Sequence, residues 1–497
     1  MDPLYGRAAF IDQAQVAVER ALAGAGRTLL FTGEPGIGKS ALAEHVAAAA
    51  AARQAAVAWG RCWEAGGAPP YWPWIQIFRG LGMDEDPFAG GVAAVGTRAA
   101  DARFAAFDRA VRALQARAAQ TPLVLILDDL HAADAPSLLL LLLLARQLRG
   151  SRILVVGAYR EAEARLLPEV APLLAKIARE ADVLPLPRLA PEDVAAWVQA
   201  SGGSAGAATE LFRVTEGHPL FVVEALRLGP RGAAPEWLPA GLGAVLDEHL
   251  GRLSPRTRAV LEIAAVLGRD FATADVAATG AMALDLAHEA LTEAAAISVV
   301  RPTGELGRFR FAHVLLRDRI YAEIVPSERA RLHLSAAAVT LAHGPSAVGA
   351  AVHHLFEGQS AGSPQRVAEV ALAAAEDALS RLAFEDAARV ARRALSLAGG
   401  GTLPAPLEGR LRVTLAEASI RLGESPEGKS LCVQAAAAAE VAGDPELLAR
   451  AALVYSTELA SGIIDPQMNA LLRRALARWT KGTGRRARGC WRGWPLA

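Results

Sequence analysis

Along the first 190 residues, short apolar runs alternate with stretches of helical periodicity. Thr28–Phe31, Ala56–Trp59, Leu123–Leu127 and Ile153–Ala158 are four such runs, with little of the alternation that marks a strand facing water on one side. Strands apolar on both faces belong to parallel sheets covered by helices on both sides, so the pattern predicts an α/β core. Beyond about residue 190 the periodicity is almost entirely helical. Leu189-Ala190-Pro191-Glu192-Asp193 has the proline and acids of a helix start, and Gly229 to Pro239, with three prolines and two glycines, reads as a linker. Between 240 and 325, two or three helices precede a strand pair, Ile297–Arg301 and Gly307–Ala312, around the turn Pro302-Thr303-Gly304. That succession suggests a winged-helix-like module. After about 330, alanine-rich helices follow in pairs. Small residues seven apart in Ala383–Leu395 resemble one tetratricopeptide repeat (TPR), with a weaker copy near Ala418–Ala439. An irregular helical array is the alternative.

Composition narrows the class. The chain has 497 residues, is 53% hydrophobic and only 5% aromatic, which excludes global disorder and predicts alanine- and leucine-built helices. Its 52 basic and 52 acidic side chains cancel, arguing against a chain-wide nucleic-acid or membrane surface. Of the basic residues, only Lys39, Lys176, Lys429 and Lys481 are lysines. Three scattered cysteines fit a reducing compartment without a disulfide framework or zinc site. The longest apolar block, Leu138–Ala145, falls short of the roughly 20 residues that a membrane helix needs. With no signal peptide in the opening MDPLYGRAAFIDQ, the expected location is cytoplasmic.

The candidate chemistry begins at Gly33-Glu34-Pro35-Gly36-Ile37-Gly38-Lys39-Ser40, which fits G-x4-G-K-[ST] between an apolar strand and a helix starting near Ala41. In that setting backbone N–H groups and the helix N-terminus surround phosphate oxygens. Lys39 would sit on the β- and γ-phosphates and Ser40 would ligate Mg²⁺. The strand Leu123–Leu127 delivers Asp128 and Asp129 at its C-terminal end, where ligands of open parallel sheets bind. Asp128 would hold Mg²⁺, and Asp129 would orient or activate the attacking water. Taken alone, an Asp-Asp pair in this position often just caps the next helix. Arg160, after the strand Ile153–Ala158, is a candidate reporter of the γ-phosphate, or equally an ordinary surface arginine. His131 would touch phosphate or water, or cap a helix. Trp59, Trp63, Tyr71, Trp72 and Trp74 form either a partner surface or a packed insertion beside the sheet, and His353-His354 reads as a helix surface feature.

In combination, GEPGIGKS, LVLILDDLHAAD, GAYRE and GHPLFVVEAL resemble the signal-transduction ATPases with numerous domains (STAND). The similarity is to the branch of large ATP-binding LuxR-type regulators and adenylate-cyclase-linked ATPases, whose AAA domain is origin-recognition-like. GRCWEAGGAPPYWPWIQ and FRFAHVLLRDRIYAEI resemble that branch too, and the likeness runs from about residue 4 to 480. It implies that Leu4-Tyr5-Gly6-Arg7 packs near adenine, although Ala8 replaces the usual acid. It also implies that Gly217-His218-Pro219 is the G-x-P element of a helical lid, with Pro219 against adenine. Ala132 stands where a tryptophan usually follows the histidine. The resemblance further implies a switch that holds ADP when closed and exchanges it for ATP on stimulus, with helical repeats as sensor.

The expected organisation is therefore an α/β P-loop NTPase core over 1–190, a helical lid over 191–235, a winged-helix-like module over 236–327 and TPR-like repeats over 328–480. The expected ligands are ATP or ADP with Mg²⁺, an inducer or protein at the repeats, and further copies of the chain in the ATP state. No membrane contact is expected. Nor is contact with DNA, because residues 250–325 carry nine basic and nine acidic side chains. An ATPase that handles nucleic acid and a scaffold that binds nucleotide without turnover are the competing readings. Residues 481–497 hold five basic side chains and no acid. Gly489–Trp494, written in suitable codons and shifted by two bases, reads Leu-Leu-Ala-Arg-Leu. We therefore expect a frameshift near residue 480 that truncated a longer regulator before any DNA-binding domain.

Overall fold

The computed structural model describes residues 4–63, 68–83, 88, 99–228, 250–251, 253–344, 347–397, 403–457 and 465–482. The interdomain linker expected at 229–239 and all but the start of the basic tail lie outside them. The chain forms two compact units: one of residues 1–66, 72–85 and 111–342, the other of 67–71, 86–110 and 343–497.

In the first unit, β1 (Arg27–Thr32), β2 (Ala56–Arg61), β3 (Leu123–Asp128), β4 (Ile153–Tyr159) and β5 (Asp182–Pro185) form one parallel sheet in the order β2-β3-β4-β1-β5. β4 separates the strand that feeds the P-loop from the strand that ends in Asp128. Leu29, Phe31, Val124, Ile126, Leu154 and Val156 pack on Ala14, Ala17, Val18 and Ala21 of the helix Ala8–Leu22 and on Leu42, Ala43 and Val46 of the helix Lys39–Ala51. The intervening Leu30, Leu125, Leu127 and Val155 are equally buried on the other face, which is why the runs show so little alternation. β5 escaped the pattern. It is four residues long at a sheet edge, and only Leu184 is buried. Within the aromatic cluster, Trp74 is fully buried and its Nε1 donates to the carbonyl of Ser137 at 3.0 Å. Trp74 therefore belongs to a packed insertion.

Three helices, Pro191–Ala200, Ala205–Thr215 and Pro219–Leu228, close on their own small core of Leu189, Val194, Val198, Leu211 and Val222. The next module runs helix Pro255–Leu267, β6 (Asp270–Ala272), helices Thr273–Thr279 and Leu284–Ala296, then β7 (Val300–Pro302) and β8 (Arg308–Phe311). Its strands pair antiparallel in the order β6-β8-β7, a winged-helix arrangement around Leu261, Val266, Phe271, Leu291, Phe309 and Phe311. The hairpin turn falls one residue later than the sequence suggested. Pro302 still pairs with Phe309, and Thr303 N donates to Arg308 O across the turn.

The second unit is helical. Among the described residues it contains Val348–Glu357, Pro364–Ser380, Phe384–Ser396, Ala405–Arg421, Ser425–Ala442, Pro445–Tyr455 and Pro466–Gly482. Ala383, Ala387, Ala391 and Ala394 have no exposed surface; residues this small let neighbouring helices approach closely. Arg103 Nη1 meets Glu385 Oε1 at 2.9 Å in the same unit. His354 is buried rather than on a helix surface as expected, and its ring lies 5.5 Å from that of His353. No helix among the described residues is long and apolar enough to cross a membrane.

Candidate functional site

β1 ends at Thr32, and the loop Gly33–Gly38 leads straight into the helix that begins at Lys39. Gly38 is the residue before that helix and has φ +103°, a conformation β-carbons disfavour. Gly36 has φ +85°, and a β-carbon there would lie 2.7 Å from the ring of His218 and 3.0 Å from that of His313. Two histidines thus press on the loop from outside, one on the lid and one on the winged-helix module. Ile37 anchors the loop in the core, Ala41 lies in the first turn of the helix, and the helix N-terminus points its free N–H groups toward the loop.

Lys39 is 6% exposed, and its Nζ donates to the carbonyls of Gly33 at 2.9 Å and Glu34 at 2.8 Å. Burial, with the positive charge of Arg160 second, lowers its pKa to about 8 against the opposing pull of Asp129, Asp128 and Glu163. Lys39 is therefore charged below about pH 8 and loses its proton above it. Affinity for ATP is expected to be level up to about pH 8 and then to weaken, by at most about tenfold per pH unit. Titration with a fluorescent ATP analogue between about pH 6.5 and 9.5 checks this, and a profile flat across that range refutes it.

Ser40 Oγ donates to Asp128 Oδ2 at 2.9 Å, across 88 residues of sequence. Asp128 is 2% exposed, and its other oxygen accepts the N–H of Asp129 at 3.1 Å. A hydroxyl beside a buried carboxylate is a hard-oxygen donor set that suits Mg²⁺. Asp129 has φ +57°, which an aspartate tolerates better than most residues. The turn carries its carboxylate to Arg269, whose Nη1 lies 2.9 Å from Oδ2. Asp129 stands at the start of the turn Leu130–Ala132 but makes no side-chain cap bond to it. The helix Ala135–Arg146 is capped by Asp134, which accepts the N–H of Ser137 at 2.8 Å. His131 lies buried within the turn Leu130–Ala132, with its Nε2 3.4 Å from a carboxylate oxygen of Glu163. Arg160, 7% exposed and thus no ordinary surface arginine, grips both oxygens of Glu163 at 3.0 and 3.1 Å.

The N-terminal segment reaches the same loop. Arg7 Nη2 donates to Ile37 O at 3.1 Å and to Pro187 O at 2.7 Å, while Gly6, with φ +65°, leaves room for the side chain of Asp193. Tyr5 stacks on Trp197 of the lid with centroids 5.2 Å apart. His218 Nε2 donates to Pro35 O at 2.9 Å. Burial lowers the pKa of His218, so its ring is neutral at pH 7. Pro219 opens the last lid helix directly after it. Arg188 bridges the loop and the lid, meeting Glu34 at 2.9 Å and Glu216 at 2.5 Å.

The structure thus gathers Gly33–Ala41, Asp128, Asp129 and Arg160 at the C-terminal end of the sheet, with Gly6, Arg7 and Pro219 on the lid side. Three neighbours carried no sequence signal of their role. Glu163 holds Arg160, Arg269 meets Asp129, and His313 is driven by burial to a pKa of about 3, so it stays neutral against the loop. His313 lies inside a stretch whose resemblance was visible, FRFAHVLLRDRIYAEI. Arg269 lies in no motif.

Residues 3–156 match the family of AAA ATPase domains. No curated protein matches the chain in sequence. Among solved structures, the chain is similar to a STAND protein with a tetratricopeptide repeat sensor from Pyrococcus horikoshii. The TM-score is 0.51 at 13% identity, over 97% of this chain and 71% of that one. Cdc6p from Pyrobaculum aerophilum matches with a TM-score of 0.36 at 14% identity, over 65% of this chain and 94% of that one. The chain therefore carries an AAA ATPase domain and shares the fold of a STAND protein: a P-loop core followed by a mostly helical C-terminal part.

Proposed function

We propose that the chain is a slow, regulatory ATPase, in which ATP against ADP selects between open and closed assemblies and the TPR-like repeats sense an inducer. The observation that supports this reading is the meeting of Asp129, the candidate for polarising water, with Arg269 of the winged-helix module. A module that touches the reacting end of the site is well placed to register which nucleotide is bound.

The chemistry follows from the residues. Lys39 leaves the carbonyls of Gly33 and Glu34 and donates to β- and γ-phosphate oxygens. Ser40 and Asp128 would hold Mg²⁺, which when bound offsets negative charge on those oxygens. Asp129 orients a water in line with the γ-phosphorus. The new P–O bond forms as the bond from phosphorus to the β–γ bridging oxygen breaks. ADP leaves with that electron pair, and the water's proton passes through Asp129 to solvent. Arg160 exchanges Glu163 for the γ-phosphate and so distinguishes ATP from ADP. Gly6, Arg7 and Pro219 would surround adenine on the lid side. The scattered cysteines support a reducing, cytoplasmic setting.

A nucleic-acid-handling role is disfavoured by charge. Arg256, Arg258, Arg269, Arg301, Arg308, Arg310, Arg317 and Arg319 of the winged-helix segment each have an acidic partner within 4.0 Å. An arginine already paired releases few counterions on meeting phosphate. The test is ATP turnover with and without EDTA, with sedimentation in ATP and in ADP. The expected result is Mg²⁺-dependent hydrolysis below the ordinary enzyme range of about 1–10³ s⁻¹, with self-association in ATP alone. Absence of turnover leaves the scaffold reading, and duplex binding with a steep salt slope restores the nucleic-acid one.

A further inference from the structure

Arg269 stands between the helix Pro255–Leu267 and β6, and its backbone is fixed there. Its carbonyl accepts the N–H of Phe311 on β8 at 3.0 Å, and the preceding Gly268 lies under the indole of Trp63, where a β-carbon would come within 3.0 Å. The neighbouring acid of the same module is already committed, because Asp270 pairs with Arg310 of β8 at 2.5 Å. The guanidinium of Arg269 reaches instead across 140 residues to Asp129 Oδ2. The side chains of Asp129 and Arg269 are 9% and 20% exposed, so the pair is mostly shielded from water. Ion pairs at such sites are broken at greater cost than surface pairs.

We propose that Arg269 is the positioning residue that sets the hydrolytic competence of Asp129, which rests on the ATPase reading above. While the pair is closed, Oδ2 accepts from a guanidinium at the distance that a water hydrogen would need. Asp129 then neither holds nor polarises the attacking water, and bound ATP persists. When the winged-helix module moves away, Arg269 leaves with it and Asp129 becomes available. Release of the module and onset of hydrolysis are then coupled through this ion pair.

The experiment compares steady-state ATP turnover of the full chain with Arg269→Gln, Arg269→Lys and Arg301→Gln. Arg301 is the control because it joins the same module to the core through Glu44 at 3.4 Å, a contact with none of the site's charged side chains. Arg269→Gln is expected to raise kcat by about tenfold with KM for ATP within about twofold. Arg269→Lys, which keeps the charge, stays near wild type, and Arg301→Gln leaves kcat unchanged. Arg269→Gln at or below the wild-type kcat overturns the proposal. So does an equal rise in Arg301→Gln, which would assign the effect to loosened docking in general. Asp129→Asn in the same assay separates the two readings. Turnover insensitive to it removes the ATPase mechanism itself, whereas a dead Asp129→Asn beside an unaltered Arg269→Gln removes Arg269 alone.

Discussion

Replacing Lys39 by alanine will lower ATP turnover by at least about 10²–10³-fold, the usual cost of removing one donor aimed at transition-state charge. Two effects act together. The ammonium that would meet the β- and γ-phosphate oxygens is lost, and so are its bonds to Gly33 and Glu34, which brace the loop. Arginine at the same position should fail almost as badly. The chain is arginine-rich and uses lysine at only four positions, and the planar guanidinium fork does not pack where a compact ammonium sits between two carbonyls. Turnover of Lys39→Ala and Lys39→Arg, measured beside the melting temperature of each, checks this. Either variant retaining more than about a tenth of wild-type activity would contradict it.

Asp129→Asn should cost about 10²–10⁴-fold in kcat while ATP still binds with an affinity within a few-fold of wild type. Asparagine keeps the shape of the side chain and tolerates the left-handed backbone at φ +57°, so the turn survives while the base is removed. Asp128→Asn should behave differently. Its carboxylate meets Ser40 at the expected Mg²⁺ position, so its loss should weaken binding of Mg²⁺–ATP as well as turnover. Equilibrium binding and single-turnover hydrolysis on the two variants separate the roles. Identical profiles for both would defeat the division between metal ligand and water-orienting residue.

The parts legible in the sequence were those whose chemistry is carried by neighbours along the chain. The loop Gly33–Ser40 advertises itself because a phosphate cradle needs glycines, a lysine and a hydroxyl in fixed succession. The strands that deliver Asp128 and Arg160 are apolar runs ended by a single polar group, a pattern that a buried parallel strand imposes. What remained hidden depends on contacts distant in sequence. Arg269 is one arginine among many until the fold lays it against Asp129. Glu163 is close to Arg160, three residues on, yet nothing in the sequence tells this pair from the other acid–arginine neighbours on the surface. β5 was missed because a short edge strand with one buried residue lacks the apolar run that reveals the central four.

That edge strand has a consequence for assembly. Successive N–H groups of a strand point to opposite sides, and Leu186 N donates inward to Thr32 O. The groups facing outward therefore belong to Val183, Pro185 and Pro187, and two of these three are prolines with no hydrogen to give. A strand from another molecule approaching this border would find one amide donor where an unprotected edge offers a row of them. The sheet is thus closed to growth by backbone pairing on this side. The self-association proposed for the ATP state would therefore not run through a β-ladder at this border.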